Sequence, residues 1–243
     1  MDVLKDIDQK MEKINKLRPF EGVYLQQINQ FFRIETTYSS NAIEGNTHTL
    51  EETKVILEDG ITVGGRSLRE FYEVVGHGKA YDYMFSLIEK RKLTEKDILY
   101  CHKLFSQNIP DFINSGEYRK IEVLISGSKK TLPKAEAVPI RMSEYIDWAG
   151  KDRNKYHPVM FAAEAHRKLV NIHPFTDGNG RISRLVMNTY LYQDRYFPIS
   201  IPLLRRSDYY YVLEKNKSED FGMYIAELEL QTIKALMRFL HVD

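Results

Sequence analysis

Residues 173–184, HPFTDGNGRISR, constrain this chain more than any other stretch, because they crowd a histidine, an acid, two glycines and two arginines between two helical patterns. Upstream, Pro158 opens PVMFAAEAHRKLVNI, where Met160, Phe161, Ala165, Leu169 and Ile172 recur at helical spacing; a helix therefore begins at Pro158 and delivers His173 at its end. Downstream, Ile182, Leu185, Val186, Thr189 and Tyr190 share one stripe, so a second helix begins near Asn179. Gly178 and Gly180 in the joint let backbone N–H groups come close to a ligand at a helix N-terminus, where unpaired amides and the macrodipole both favour an anion. Arg181 and Arg184 stand on the same first turn, where the dipole disfavours cations; a polyphosphate offsets that cost. Asp177 has the wrong sign for phosphate and the right one for a divalent cation that also binds phosphate oxygens. The local reading is an anion hole beside a metal ligand.

The 243 residues, 43% hydrophobic and 28% charged, suit one compact globular unit. Lys plus Arg (35) nearly equals Asp plus Glu (34), which gives no reason to expect nucleic acid or an anionic membrane as partner. The single cysteine, Cys101, makes no intramolecular disulfide and shares an apolar helical face with Ile98, Leu104 and Phe105, so it reads as buried filler rather than nucleophile. The start MDVLKDIDQK is neither a signal nor a transit segment, and no apolar run is long enough to span a bilayer. These features point to a reducing cytoplasmic setting, most simply a bacterial one.

The remainder reads as mostly helical. Residues 1–18 form an amphipathic helix ended by Pro19, which either caps the core or forms part of a dimer contact; residues 22–45 form a second, closed by Gly45. Thr49 with Glu52 and Ser67 with Glu70 resemble capping boxes for helices at about 50–58 and 68–91, and Thr94 with Asp97 opens another to about Gln107. His77 and His102 lie in these patterns without metal-ligand partners, so they read as surface or core. Residues 117–133 are the exception. IEVLIS, the turn GSKK and Pro133 predict a short hairpin. Pro139 then begins a helix through Trp148, followed by the linker GKDRNKYH; Ser207 is the predicted N-cap of a helix through YYYVLEKN, and the last helix runs over about 219–241.

HPFTDGNGRISR is similar to the signature of Fic-domain proteins, HPF-x-D/E-GNGR-x-x-R, with every fixed position present. The resemblance implies an all-α, Fic-type helical bundle with a short β-hairpin flap at about 117–133 that aligns a target polypeptide. It further implies transfer of AMP from ATP to a Ser, Thr or Tyr hydroxyl of a protein, which could include the chain itself. On the matching positions, His173 becomes general base, Asp177 holds Mg²⁺ or Mn²⁺, Gly178, Asn179 and Gly180 hold the α-phosphate, and Arg181 and Arg184 take the outer phosphates. The tyrosines at 209–211 read as core.

A second resemblance lies earlier. Ser40-x-x-x-Glu44-Gly45 is similar to the family's inhibitory motif S/T-x-x-x-E-G/N, in the class whose inhibitory helix precedes the core. A carboxylate brought to Arg184 would take the place of a terminal phosphate oxygen and misalign the nucleotide. The expected organisation is residues 1–50 as N-terminal helices with the inhibitory one, and 51–243 as core with the flap and C-terminal capping helices. Two other functions stay open at this point: a hydrolase that removes AMP using Glu44, and a catalytically silent nucleotide-binding module. Relatives that phosphorylate depart from the GNG portion of the motif, which this chain keeps.

Overall fold

A computed structural model describes residues 2–62, 64–90, 92–110, 112–125, 127–128, 130–242. Its described residues form α1 (Val3–Asn15), α2 (Gly22–Ile43), α3 (Leu50–Asp59), α4 (Leu68–Ser86), α5 (Glu95–Ser106), α6 (Val138–Asp152), α7 (Pro158–Ile172), α8 (Asn179–Gln193), α9 (Arg206–Lys215) and α10 (Ser218–Phe239). The fold is all-helical among these residues.

The centre is the hairpin of α7 and α8. Of the apolar stripe predicted for α7, Phe161, Ala165 and Leu169 are buried and Met160 and Ile172 are partly so, and α8 answers with buried Ile182, Leu185, Val186 and Tyr190. Removing a buried side chain such as Leu169 would cost roughly 2–5 kcal/mol. Because α2, α4 and α5 pack on α8 as well, it is buried nearly all round rather than along one stripe. Its two arginines are consequently inside the protein. α10 backs α7, and α1 lies on α10 through Ile7, Met11 and Ile14, so the first helix caps the core on the side its periodicity predicted.

Both predicted capping boxes are formed, at Thr49 and Ser67, and the helix start expected at Thr94 is a third; each of these side chains accepts from the amide three residues on. Other boundaries shift. α4 stops at Ser86, before its expected end at 91, which lies outside the described residues. α6 continues through the first residues of the expected linker to Asp152. Ser207 is not the cap of α9: the helix is entered from a 3-10 turn over Leu203–Arg205, and Arg205 holds the capping position without a side-chain bond.

The hairpin expected over 117–133 has no strand among its described residues; Ser126, the last residue of its first expected strand, and Lys129, in its expected turn, lie outside them. One main-chain carbonyl on each limb accepts from the same side chain. Arg119 donates from Nη1 to the carbonyl of Ile121 at 3.0 Å and from Nη2 to that of Pro133. From the GSKK stretch, Ser128 bonds Glu214 at 2.7 Å and Lys130 reaches the carbonyl of Leu213 at 2.6 Å, so the segment is strapped to α9.

Candidate active site

Three helix ends converge on one cleft of about 640 Å³, lined among others by Glu44, Lys130, His173, Gly180, Arg206, Tyr209 and Tyr210. The C-terminus of α2 brings Glu44, that of α7 brings His173, and the N-terminus of α8 brings the glycines and arginines.

His173 caps α7 in the left-handed region (φ 53°) and its Nδ1 lies 3.2 Å from the carbonyl of Val170. A carbonyl only accepts, so the neutral ring carries its proton on Nδ1 and keeps the lone pair on Nε2. Burial pushes its pKa below the ordinary histidine value, although the Val170 carbonyl pulls the other way. The ring is therefore an unprotonated base at neutral pH. Its carbonyl accepts from Nε of Arg119 at 2.8 Å, which ties the histidine to the base of the 117–133 segment.

The loop from 174 to 178 is closed by Asn179. Its side chain accepts from the amide of Phe175 and donates to that residue's carbonyl, both at 2.9 Å. That side chain is spent on the loop, so what Asn179 can offer an anion is its main-chain amide. His102 supports the same loop from α5. It accepts from Gly116 at Nδ1 (3.0 Å), which leaves the proton on Nε2 to be donated to the carbonyl of Asp177 at 3.1 Å. Burial lowers its pKa to about 4, in keeping with a neutral structural ring. Gly178 needs its positive φ of 80°, and a Cβ there would lie 2.9 Å from the Phe105 ring.

Charged groups pair in two sets. Asp177 takes Arg69 Nη2 at 2.8 Å and Arg181 Nη2 at 3.2 Å, while Arg181 Nη1 reaches Glu73 at 3.2 Å. Arg184, 4% exposed, donates from Nε to the hydroxyl of Ser40 and from Nη2 to its carbonyl, each at 2.9 Å, from Nη2 to Glu44 Oε1 at 2.7 Å, and from Nη1 to the hydroxyl of Tyr209 at 3.2 Å. Burial works against the charge on Glu44, yet Arg184 and Arg181 prevail and hold its pKa below the ordinary carboxylate value. The carboxylate also covers Gly180, where a Cβ would meet Glu44 Oε1 well inside van der Waals contact. Glu44 thus sits at the N-terminus of α8, where an anion is favoured.

The geometry of Glu44 is set by a complete Schellman ending. The amide of Gly45 (φ 98°) bonds Ala42 and that of Asn46 bonds Asn41, which makes Glu44 the C-cap of α2. α9 holds it from the other side. Arg206 donates from Nε to the carbonyl of Ile43 at 2.6 Å and lies over the ring of Tyr210, whose hydroxyl is 3.4 Å from Glu44 Oε2.

The structure thus brings together all the residues singled out by sequence: Ser40, Glu44, Gly45, His173, Asp177, Gly178, Asn179, Gly180, Arg181 and Arg184. Sequence reasoning missed Arg69, Glu73, His102, Arg119, Arg206, Tyr209 and Tyr210. Arg205 and Arg206 ahead of the tyrosines were a visible signal for the last three, whereas no local pattern distinguishes Arg69 or Arg119. Among the described residues no cluster of three or more His, Cys, Asp or Glu is arranged to hold a metal. Asp177 alone, about half exposed, fits a Mg²⁺ ion that brings most of its oxygens as substrate phosphate and water. No helix among the described residues is long and apolar enough to cross a membrane.

Residues 92–191 match the family model described as Fic/DOC family. Two curated relatives, each named protein adenylyltransferase Fic, are 36% identical over 235 residues: that of Drosophila grimshawi, with 95% of this chain and 48% of the relative covered, and that of Drosophila melanogaster, with 95% and 47%. The chain spans about half the length of these curated relatives. Among solved structures, a Fic domain containing signaling protein from Bacteroides thetaiotaomicron superposes with a TM-score of 0.87 at 27% identity, covering 98% of this chain and 99% of that one. A Fic-1 fragment from C. elegans also gives 0.87, at 28% identity over 98% of this chain and 72% of the other. By the matched segment that contains the site, by these relatives and by the shared helical fold, the chain is a Fic-domain protein.

Proposed function

We propose that this protein is an adenylyltransferase that moves AMP from ATP to a Ser, Thr or Tyr hydroxyl of a protein and is held inactive by its own Glu44. The observation that carries the reading is the carboxylate of Glu44, bound by Arg184 and seated at the N-terminus of α8 in the cleft of His173. An anionic side chain lies where the outer phosphates of a nucleotide would lie. The names of the curated relatives support the same activity.

In this reading the target hydroxyl loses its proton to Nε2 of His173 as its oxygen attacks the α-phosphorus. The new O–P bond forms while the bond from the α-phosphorus to the bridging oxygen breaks, and pyrophosphate leaves. The amides at the start of α8 stabilise charge on the α-phosphate, and Arg181 and Arg184 take the outer phosphates. Asp177 would hold Mg²⁺ or Mn²⁺, which supplies charge neutralisation on the phosphate oxygens. The 117–133 segment, tied to His173 through Arg119, acts as the flap that offers the target polypeptide an edge for strand addition.

Residues 1–50 supply the inhibitory arm and 51–243 the catalytic unit in one compact body. A cytoplasmic setting goes with the buried, unpaired Cys101. The test is incubation with ATP labelled at either the α or the γ position. Transfer predicts α-label on protein, stronger in Glu44→Gly and absent when His173→Ala is added. A γ-label on protein, or AMP released from a modified protein by the wild type, contradicts it.

A further inference from the structure

We infer that Arg69 occupies the cation position of Asp177 and competes with the divalent metal, so that nucleotide binding in metal must expel it. The inference rests on the reading of Asp177 as the metal ligand. It concerns a residue of α4, outside the motif segment.

Four charges alternate around a square. Arg69 Nη2 is 2.8 Å from Asp177 Oδ2 and its Nε is 3.4 Å from Glu73 Oε1; Arg181 closes the square to Asp177 and Glu73, at 3.2 Å each. The two arginines differ in burial. Arg181 is 5% exposed and lies over the Phe105 ring, so it is a fixed wall, whereas the Arg69 side chain is 46% exposed and free to leave. Asp177 Oδ1 is already taken by the amide of Gly178 and by Arg181, which leaves Oδ2 as the oxygen that faces outward. That oxygen is the one Arg69 holds.

A Mg²⁺ ion binds a carboxylate oxygen at about 2.0–2.1 Å and demands octahedral geometry. A guanidinium hydrogen-bonded to the same oxygen is a like charge within a few ångströms of the ion, and it fills directions the ion's waters need. The two cations therefore exclude each other at Oδ2. Since an exposed ion pair contributes little, Arg69 is displaced by metal plus polyphosphate and retained without them. Its aliphatic stem and its bond to Glu73 give it somewhere to go.

This role differs from that of an ordinary phosphate-binding arginine, whose loss weakens nucleotide binding with or without metal. The experiment is calorimetric titration of the Glu44→Gly protein with a non-hydrolysable α,β-methylene ATP analogue, in EDTA and in saturating Mg²⁺, comparing Arg69→Gln and Asp177→Asn on the same background. Removing the competitor is expected to tighten binding in Mg²⁺ by about three- to tenfold, as loss of an exposed pair and of a like charge near the ion would do. Binding in EDTA does not tighten. Unchanged or weaker binding of Arg69→Gln in Mg²⁺, with Asp177→Asn having lost the Mg²⁺ dependence, overturns the role of Arg69 while leaving Asp177 as metal ligand. Full Mg²⁺ dependence in Asp177→Asn overturns both.

Discussion

Glu44 and Arg184, 140 residues apart in the chain, meet through Oε1 and Nη2 at 2.7 Å on a buried guanidinium that Ser40 and Tyr209 also hold. Arg184 is thereby fixed by partners that remain when Glu44 is removed. On the proposed reading, relief of inhibition requires movement of the carboxylate alone, with Arg184, the proposed phosphate ligand, already in place. That arrangement suits a switch, because the active geometry is prepared before the brake is lifted.

The brake has a second point of attachment in α9. Tyr210→Phe removes a long hydrogen bond to Glu44, and Arg206→Met removes the cation that caps α2 at Ile43. Each should raise the rate of AMP incorporation modestly, by about two- to tenfold, as expected for a bond worth roughly 0.5–1.5 kcal/mol. Initial rates with α-labelled ATP check this. A rate below that of the wild type for both variants would mean that these residues serve nucleotide binding more than inhibition.

The pH dependence follows from His173. As the proposed general base it acts in its neutral form, and burial lowers its pKa, so on this reading activity is lost only as pH falls through that lowered value. The acid limb of kcat/KM in Glu44→Gly should therefore lie below 6.5, the ordinary histidine value. Since the charge of Glu44 raises the pKa of His173, its removal moves the limb further down. Glu44 itself has a depressed pKa, so its contribution to stability and inhibition is present above 4.5 and is lost as pH falls through the folded value. Wild-type protein stays inhibited from neutral pH down into the acid range, which a pH series of labelling reactions checks.

His102 is a structural pin for the loop that carries Asp177. It stacks on Phe175 with ring centroids 3.7 Å apart and satisfies both Gly116 and Asp177. His102→Ala leaves a buried donor and acceptor unpaired and should cost about 2–4 kcal/mol of stability. Denaturant unfolding measures it. A loss below about 0.5 kcal/mol, the range of ordinary surface changes, would show that the loop is held by Asn179 and Arg119 alone.

Much of this site was legible because its chemistry is packed into local sequence. The capping boxes at Thr49 and Ser67, the helix start at Thr94 and the joint at Gly178 are set within a few residues, and spacing alone places each. The glycine stop at 45 announced where Glu44 would sit. Ser207 misled because a 3-10 turn over Leu203–Arg205 takes over the entry to α9, a tertiary choice that propensity does not see. The strand pattern at 121–126 was real as composition, but strands need paired main-chain groups, and Arg119 takes one acceptor on each limb, at Ile121 and Pro133. Arg69, Glu73 and Arg119 join the site through contacts between segments distant in sequence, and no spacing rule could have brought them there.

The account stands or falls with Glu44 as a brake on a working transferase. The direct measurement is intact mass of Glu44→Gly after incubation with ATP, Mg²⁺ and a mixture of candidate proteins, beside the wild type and the Glu44→Gly/His173→Ala double variant. The prediction is one added AMP per modified chain in Glu44→Gly, at a rate about 100-fold above wild type if the nucleotide is misplaced by an ångström or so in the inhibited form, and none in the double variant. No AMP adduct on any protein in Glu44→Gly, with the nucleotide shown by titration to bind, would contradict it.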